Sequence, residues 1–266
     1  MLDELRVQGK TGAQLDKRDP RDDLGFNKAK ATKALADEVV KLADLQERLW
    51  AEQKHSLLVV LQAMDAGGKD GTIRAVLSGV NPQGVHITGF KAPTPNELAH
   101  DYLWRVHAAA PAHGEIGVFN RSHYEDVLVV RVHGIVAEER WRKRYGHIRD
   151  FEQRLVEEGT TIIKLFLHIS KDEQRERFQE RIDDPTKQWK FRKGDLDDRA
   201  KWDDFQAAYD DAISETSTDN APWYVIPGDR NWVRNLAVAK ILVNTLEAMN
   251  PQYPAAEPGI ADLKVI

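Results

Sequence analysis

The stretch SLLVVLQAMDAGGKDGTIRAVL, residues Ser56 to Leu77, decides the fold. Leu57 to Leu61 form a short apolar run containing two valines, the composition of a strand buried in a parallel sheet. Thr72-Ile73-Arg74-Ala75-Val76-Leu77 reads as a helix, and a glycine-bearing turn joins the two. A phosphate-binding loop needs this strand–loop–helix context. Measured against G-x-x-x-x-G-K-[ST], Gly68-Lys69 are in place, but Ala63 holds the first glycine position and Asp70 replaces the Ser/Thr.

The departures still permit phosphate chemistry. Gly67 and Gly68 let backbone N–H groups converge on phosphate oxygens, and the following helix N-terminus adds partial positive charge. Lys69 reaches the outer phosphates as a point charge. Asp65 repels phosphate unless a cation lies between them, so it is the candidate ligand for Mg²⁺, with Mn²⁺ as the alternative ion. Thr72 lies further along the helix than the usual hydroxyl. Ala66 through Thr72 (Ala66, Gly67, Gly68, Lys69, Asp70, Gly71 and Thr72) form the candidate phosphate-binding segment. The bland alternative is a glycine-rich turn without chemistry.

Outward from this stretch, two periods alternate. A one-sided apolar stripe (Ala34, Val39, Leu42, Leu45, Leu49) predicts a helix over 28–53. Strands are expected at 85–90, 115–119, 161–169 and 223–226, with helices at 96–109, 149–158, 171–181 and 231–249. This alternation implies an α/β fold, a parallel sheet flanked by helices. No repeat or long linker divides the chain, so residues 1–266 read as one domain with an irregular N-terminal arm over 1–27.

Composition excludes several classes. Without cysteine there is neither a disulfide framework nor a thiolate metal site. The N-terminal residues lack an apolar signal region and no apolar run reaches membrane-spanning length, so the cytoplasm is the expected location and no membrane partner is expected. A net charge of −5 gives no global attraction to nucleic acid, so a polyanion must be held by local cations.

GEIGVFNRSHYEDVLVVRVHG, Gly114 to Gly134, supplies the second constellation. Its strand ends near Asn120, and in an open parallel sheet the ligand crevice lies beyond the strand C-termini. Asn120, Arg121, His123, Glu125 and Asp126 are therefore expected to open onto the crevice that holds Lys69. Arg121 suits a transferring phosphoryl group, although its spacing to Glu125 also fits a surface ion pair. His123 reads better as a hydrogen-bonded histidine without chemistry, and Asp126 is an alternative helix cap. The third constellation is the charged run RERFQERIDDPTKQWKFRKGDLDDR, Arg175 to Arg199. It fits a solvated mixed-charge helix pair, or a lid over about 171–205 that brings cations to the phosphates.

The block from LLVVLQAMDAGGKDGTIRAVL to GEIGVFNRSHYEDVLVVRVH, together with LHISKDEQRERFQERIDDPTKQWKF and KWDDFQAAYDDAISETSTDNAPWYVIPGD, resembles the polyphosphate kinase 2 family, in particular its class III. The resemblance covers nearly the whole chain. It implies a phosphate-loop kinase fold similar to thymidylate kinase, a three-layer architecture with a helical lid. It further implies transfer from inorganic polyphosphate to AMP and ADP, giving ADP and ATP, with Mg²⁺ at the loop. By the same resemblance Asp65 is the family's loop acid, and Lys69, Arg121, Arg131 and Arg181 match phosphate-contacting positions. Glu125-Asp126 match the class III form, where other classes usually carry Asn-Arg, while Asn120 departs from members that keep an Asp there. The expected assignments are thus catalytic Asp65, Lys69 and Arg121, metal-binding Asp65, and acceptor-side Asn120 and Glu125, in a homo-oligomer (dimer or tetramer). Two alternatives are an ATP-dependent small-molecule kinase on the same fold and a non-catalytic polyanion or nucleotide sensor. The joint presence of Asp65, Lys69 and Arg121 favours catalysis.

Overall fold

A computed structural model describes residues 2–9 and 12–265. Its centre is one parallel sheet of five strands: β1 (Ser56–Gln62), β2 (Val85–Gly89), β3 (Ile116–Asn120), β4 (Thr160–His168) and β5 (Trp223–Pro227). The strand order is β2-β3-β1-β4-β5, so β1, the strand that feeds the loop, lies in the middle and every residue of it is buried. From β1 the chain passes to the β2 edge, and from β3 it crosses to β4 on the other side of β1. Such a reversal opens a crevice at the strand C-termini.

The helices are α1 (Leu2–Leu5), α2 (Lys28–Glu52), α3 (Lys69–Val76), α4 (Pro95–Leu98), α5 (Trp104–His107), α6 (Val129–Val132), α7 (Glu138–Glu157), α8 (Lys171–Asp183), α9 (Gly194–Ala200), α10 (Trp202–Thr216) and α11 (Asn231–Met249). Two layers cover the sheet. Leu57, Val59 and Leu61 point into one core with Leu42 and Leu49 of α2 and the apolar side of α11. Leu58 and Val60, on the opposite face, pack with Tyr145 and Ile148 of α7 and Phe205 and Tyr209 of α10. The alternation along β1 follows from the period of two in a strand. With both faces packed, the β1 C-terminus is a fixed point from which the loop departs. No helix of the described residues is long and apolar enough to cross a membrane.

The arm predicted over 1–27 is irregular but fastened: Val7 N–H donates to the Trp223 carbonyl, Ala13 N–H to Ser214 and Leu15 N–H to Asp210. Residues 1, 10 and 11 of that range lie outside the described residues.

Three expectations need correction. The helix expected over 96–109 is two single turns, α4 and α5, because Asp101 accepts the Leu103 N–H and makes a turn between them. The helix expected from Arg149 begins at Glu138; charged residues dilute its apolar stripe of Trp141, Tyr145, Ile148, Phe151 and Leu155. Finally, α10 carries a buried stripe (Trp202, Phe205, Tyr209, Ile213) that starts inside the segment read as lid and runs past its end, and that stripe was not anticipated.

Candidate active site

Beyond Gln62 the chain leaves β1 through Ala63–Gly68 and enters α3 at Lys69. The loop's left-handed residues are Ala66 (φ 59°) and Gly68 (φ 95°); Ala63 is not among them and requires no glycine. Its methyl lies where a β-carbon at Gly67 would fall, and that β-carbon would also stand 2.8 Å from the Met64 carbonyl oxygen. The glycine requirement has thus moved from position 63 to position 67. The Ala63 carbonyl accepts from Lys69 Nζ and from Tyr209 Oη, each at 3.1 Å. The substitution in the motif is therefore a rebuilt loop rather than a damaged one.

Arg121 follows the last residue of β3 in a left-handed conformation (φ 61°), its N–H donating to the Leu61 carbonyl at 3.1 Å. From there its guanidinium donates to Asp65 Oδ1 at 2.5 Å and lies 3.6 Å from Glu125 Oε2. The surface-pair reading of Arg121 with Glu125 is thus half of a triad whose other member is Asp65. Glu125 first, and Asp65 after burial's opposing effect, hold the Arg121 guanidinium in its charged form. Burial raises the Glu125 carboxyl, and Arg121 and Lys69 partly offset that shift. Lys69 is pushed down to about 8, chiefly by burial and then by Arg121, against the pull of Asp65, Glu125 and Asp70. Asn120 donates to Asp70 Oδ1 at 2.7 Å, tying the end of β3 to the first turn of α3.

Asp65, Lys69, Arg121, Glu125 and, through Asp70, Asn120 are therefore brought together. Other expected residues are placed differently. Thr72 is buried, its hydroxyl donating to Asn235 of α11, so it faces away from the crevice. Arg131 pairs with Asp211 of α10 at 2.7 Å and stacks over Trp141. Asp126 caps no helix; its carboxylate and carbonyl accept from Arg144. Arg181 donates to the Lys190 carbonyl at 3.3 Å, within the lid segment. That segment does approach the site, since the Asp195 carboxyl, raised chiefly by burial, is also raised by Asp65 and lowered by Arg181 and Arg121.

His123 is wholly buried and engages Glu152 through Nε2, which fits the reading without chemistry. Glu152 also accepts from Tyr124 Oη at 2.8 Å and from Lys164 Nζ at 2.5 Å, while Lys164 donates to the Thr216 carbonyl.

Several residues that shape the loop escaped sequence reasoning. Gln174 of α8 donates to the Asp65 carbonyl and Arg177 to the carbonyls of Ala66 and Gly228. Tyr209 grips Ala63, and Arg234 packs on Gly68. All of them address backbone, which leaves no side-chain pattern to read.

A family model described as Polyphosphate kinase 2 matches residues 25–254. The chain belongs to the polyphosphate kinase 2 family. An AMP/ADP-polyphosphate phosphotransferase of Meiothermus ruber is 57% identical over 267 residues, spanning 100% of this chain and 99% of the relative. An ADP-polyphosphate phosphotransferase of Rhodopseudomonas palustris is 48% identical over 85% of this chain and 82% of its own length. The crystal structure of polyphosphate kinase 2 from Arthrobacter aurescens TC1 superposes with a TM-score of 0.93 at 45% identity, covering 97% of this chain and 93% of that one. The parallel α/β architecture shared with that polyphosphate kinase 2 structure thus accounts for the sheet order and for the strand-end site.

Proposed function

We propose that this chain transfers a phosphoryl group from inorganic polyphosphate to AMP and ADP, giving ADP and ATP, and that Asp65, Lys69 and Arg121 carry the reaction. The observation that carries the reading is the meeting of these three residues and Glu125 around the loop at the ends of β1 and β3. The names of the Meiothermus and Rhodopseudomonas relatives support the donor and the two acceptors.

Phosphoryl transfer demands positioning and charge neutralisation, with little covalent work by the protein. Lys69 and Arg121 neutralise the group in flight, and an acceptor phosphate oxygen attacks in line. Both substrate and product bonds are phosphoanhydrides, so the reaction runs in either direction according to concentrations. The site's oxygens suit Mg²⁺: Asp65, Asp70 and Glu125 offer only hard donors, and the described residues contain no group of three or more His, Cys, Asp or Glu that could hold a metal by themselves. Such a site fits an ion held by one or two carboxylates, water and substrate phosphates. Asp65 would hold it, and the bound ion would supply neutralisation of the phosphate charge.

Glu125 is the acceptor-side carboxylate of this proposal. Asp126 is committed to Arg144, whereas Glu125 faces Arg121 and Lys69, where the shorter AMP leaves room for a carboxylate. A cytoplasmic homo-oligomer, dimer or tetramer, completes the reading; Ile87 of edge strand β2 and Leu98 at the end of α4 are exposed apolar side chains that a second copy would cover.

The test is purified protein with polyphosphate, Mg²⁺ and either AMP or ADP, with nucleotides separated by chromatography. ATP from both acceptors is expected. Turnover with ATP but not polyphosphate as donor would replace this reading with an ATP-dependent kinase, and phosphate binding without turnover would replace it with a sensor.

A further inference from the structure

Arg234, in the first turn of α11, is 4% exposed. Among the described residues its guanidinium makes no ion pair. Its hydrogen bonds are long: Nε to Asn235 Oδ1 at 3.3 Å and Nη1 to the Gly228 carbonyl at 3.5 Å. Burial first, then the repulsion of Arg177, depresses it to about 10, with Glu173 in partial opposition. Glu173 itself is committed to Arg177 at 2.8 Å. A buried cation without a dedicated counter-charge is destabilising, and folds rarely keep one without a use for it.

Its place shows the use. A β-carbon at Gly68 would collide with Arg234 Nη1 and stand 2.6 Å from Cζ; one at Gly71 would lie 3.7 Å from Nη2. The guanidinium therefore lies, buried, against the backbone of the loop and of the first turn of α3, and the charged groups that act on it are Arg177 and Glu173 rather than Asp65 or Arg121. On the crevice side Asp65, Asp70, Glu125 and Asp195 of the lid segment face Lys69, Arg121 and Arg181, so this ring of groups carries an excess negative charge. A polyanion binding there needs positive potential from beyond that ring. Arg177 and Glu173 cancel, which leaves Arg234 as the unbalanced cation behind the loop.

We propose that Arg234 is a positioning residue that charges the phosphate loop from behind, so that the polyphosphate in the loop is the counter-anion its guanidinium lacks. This rests on the loop's reading as the polyphosphate site. The tests are Arg234→Met, which keeps length and removes charge, and Arg234→Lys, which keeps charge and removes the planar fork. Removing one partly desolvated charge should raise KM for polyphosphate about tenfold or more. KM for ADP should stay within about twofold, as expected for a charge that faces the phosphate loop rather than the acceptor. The rise in melting temperature that polyphosphate alone gives to the wild type should shrink in Arg234→Met, while the melting temperature without polyphosphate stays level or rises, because an uncompensated buried charge is gone. Arg234→Lys should keep most of the polyphosphate response even where its own melting temperature falls.

An Arg234→Met protein that melts lower but keeps the wild-type KM and polyphosphate response would make Arg234 a structural strut and overturn the proposal. So would Arg234→Lys losing as much as Arg234→Met. If polyphosphate fails to stabilise the wild type, the loop reading falls and this proposal with it. A stabilised wild type with an unaffected Arg234→Met overturns this proposal alone.

Discussion

Two charged clusters sit on either side of the turn that follows β3, and they are built on opposite terms. Behind the turn, Lys164, Glu152, His123 and Tyr124 are wholly buried: Lys164 meets Glu152 at 2.5 Å, and Tyr124 Oη and the Thr216 carbonyl take up further bonding capacity. In front of it, Asp65, Lys69, Arg121 and Glu125 are half-buried, with carboxylates outnumbering cations once Asp70 is included. In the rear cluster each charge has its partner within the protein, and only His123 Nδ1 is left without one. The front one has its charges leaning on each other and on backbone carbonyls, an arrangement that a phosphate can reorganise. Ionisable residues in a cluster are thus sorted by how fully they satisfy one another, rather than by how many there are.

The widest break in the comparison is at Lys164. Lys164→Met strips the buried Glu152 of its cation and leaves it only His123 and Tyr124, and should cost about 3–5 kcal/mol of stability. Denaturant unfolding measures this, while KM for polyphosphate in the folded fraction should not move; a changed KM with unchanged stability would erase the distinction between the clusters. Asp65→Asn and Lys69→Ala should do the reverse. Each removes charge at the phosphates rather than packing, so kcat should fall about 10²–10³-fold with little change in melting temperature. Near-normal turnover of Asp65→Asn at saturating Mg²⁺ would remove the metal role from Asp65.

The pH profile gives a smaller effect. Lys69 works as a cation, and its folded-state pKa is depressed to about 8, so the charged form is full below that value and is lost as pH rises through it. In the free enzyme kcat/KM for polyphosphate should therefore decline above about pH 8, by roughly tenfold per unit. Bound phosphate favours the charged lysine, so kcat should persist to higher pH. A flat kcat/KM up to pH 10 would contradict the assignment. The smallest effect is expected at Glu125. Glu125→Asn should lower AMP use several-fold more than ADP use, the scale of one positioned contact at the acceptor end; equal losses on both acceptors would show that Glu125 serves only to hold Arg121.

The strands were legible because each is rich in apolar or β-branched residues, even the partly exposed β2 (VHITG), and the loop was legible because glycine, lysine and strand–helix context coincide at one place. The 138–157 helix was read short since its stripe of Trp141, Tyr145 and Ile148 is interrupted by eight basic or acidic neighbours within one stretch, EERWRKRYGHIRD, which masks the period. At the site, Asp65, Lys69 and Arg121 announced themselves through position at strand ends. Gln174, Arg177, Tyr209 and Arg234 did not, because each acts on a backbone group more than a hundred residues away. Thr72 misled for the complementary reason: its spacing suits the loop, but helix geometry turns its hydroxyl to Asn235.

The left-handed backbone at Arg121 carries a cost of its own. A side chain with a β-carbon in that region is strained by about 1–2 kcal/mol, and glycine is not. Heat-selection experiments on this enzyme would therefore favour Arg121→Gly, which relaxes the turn and discards the guanidinium proposed to neutralise the transferring phosphoryl group. Directed evolution for thermal robustness should be run with a simultaneous turnover screen, because at this position durability and activity pull toward different amino acids.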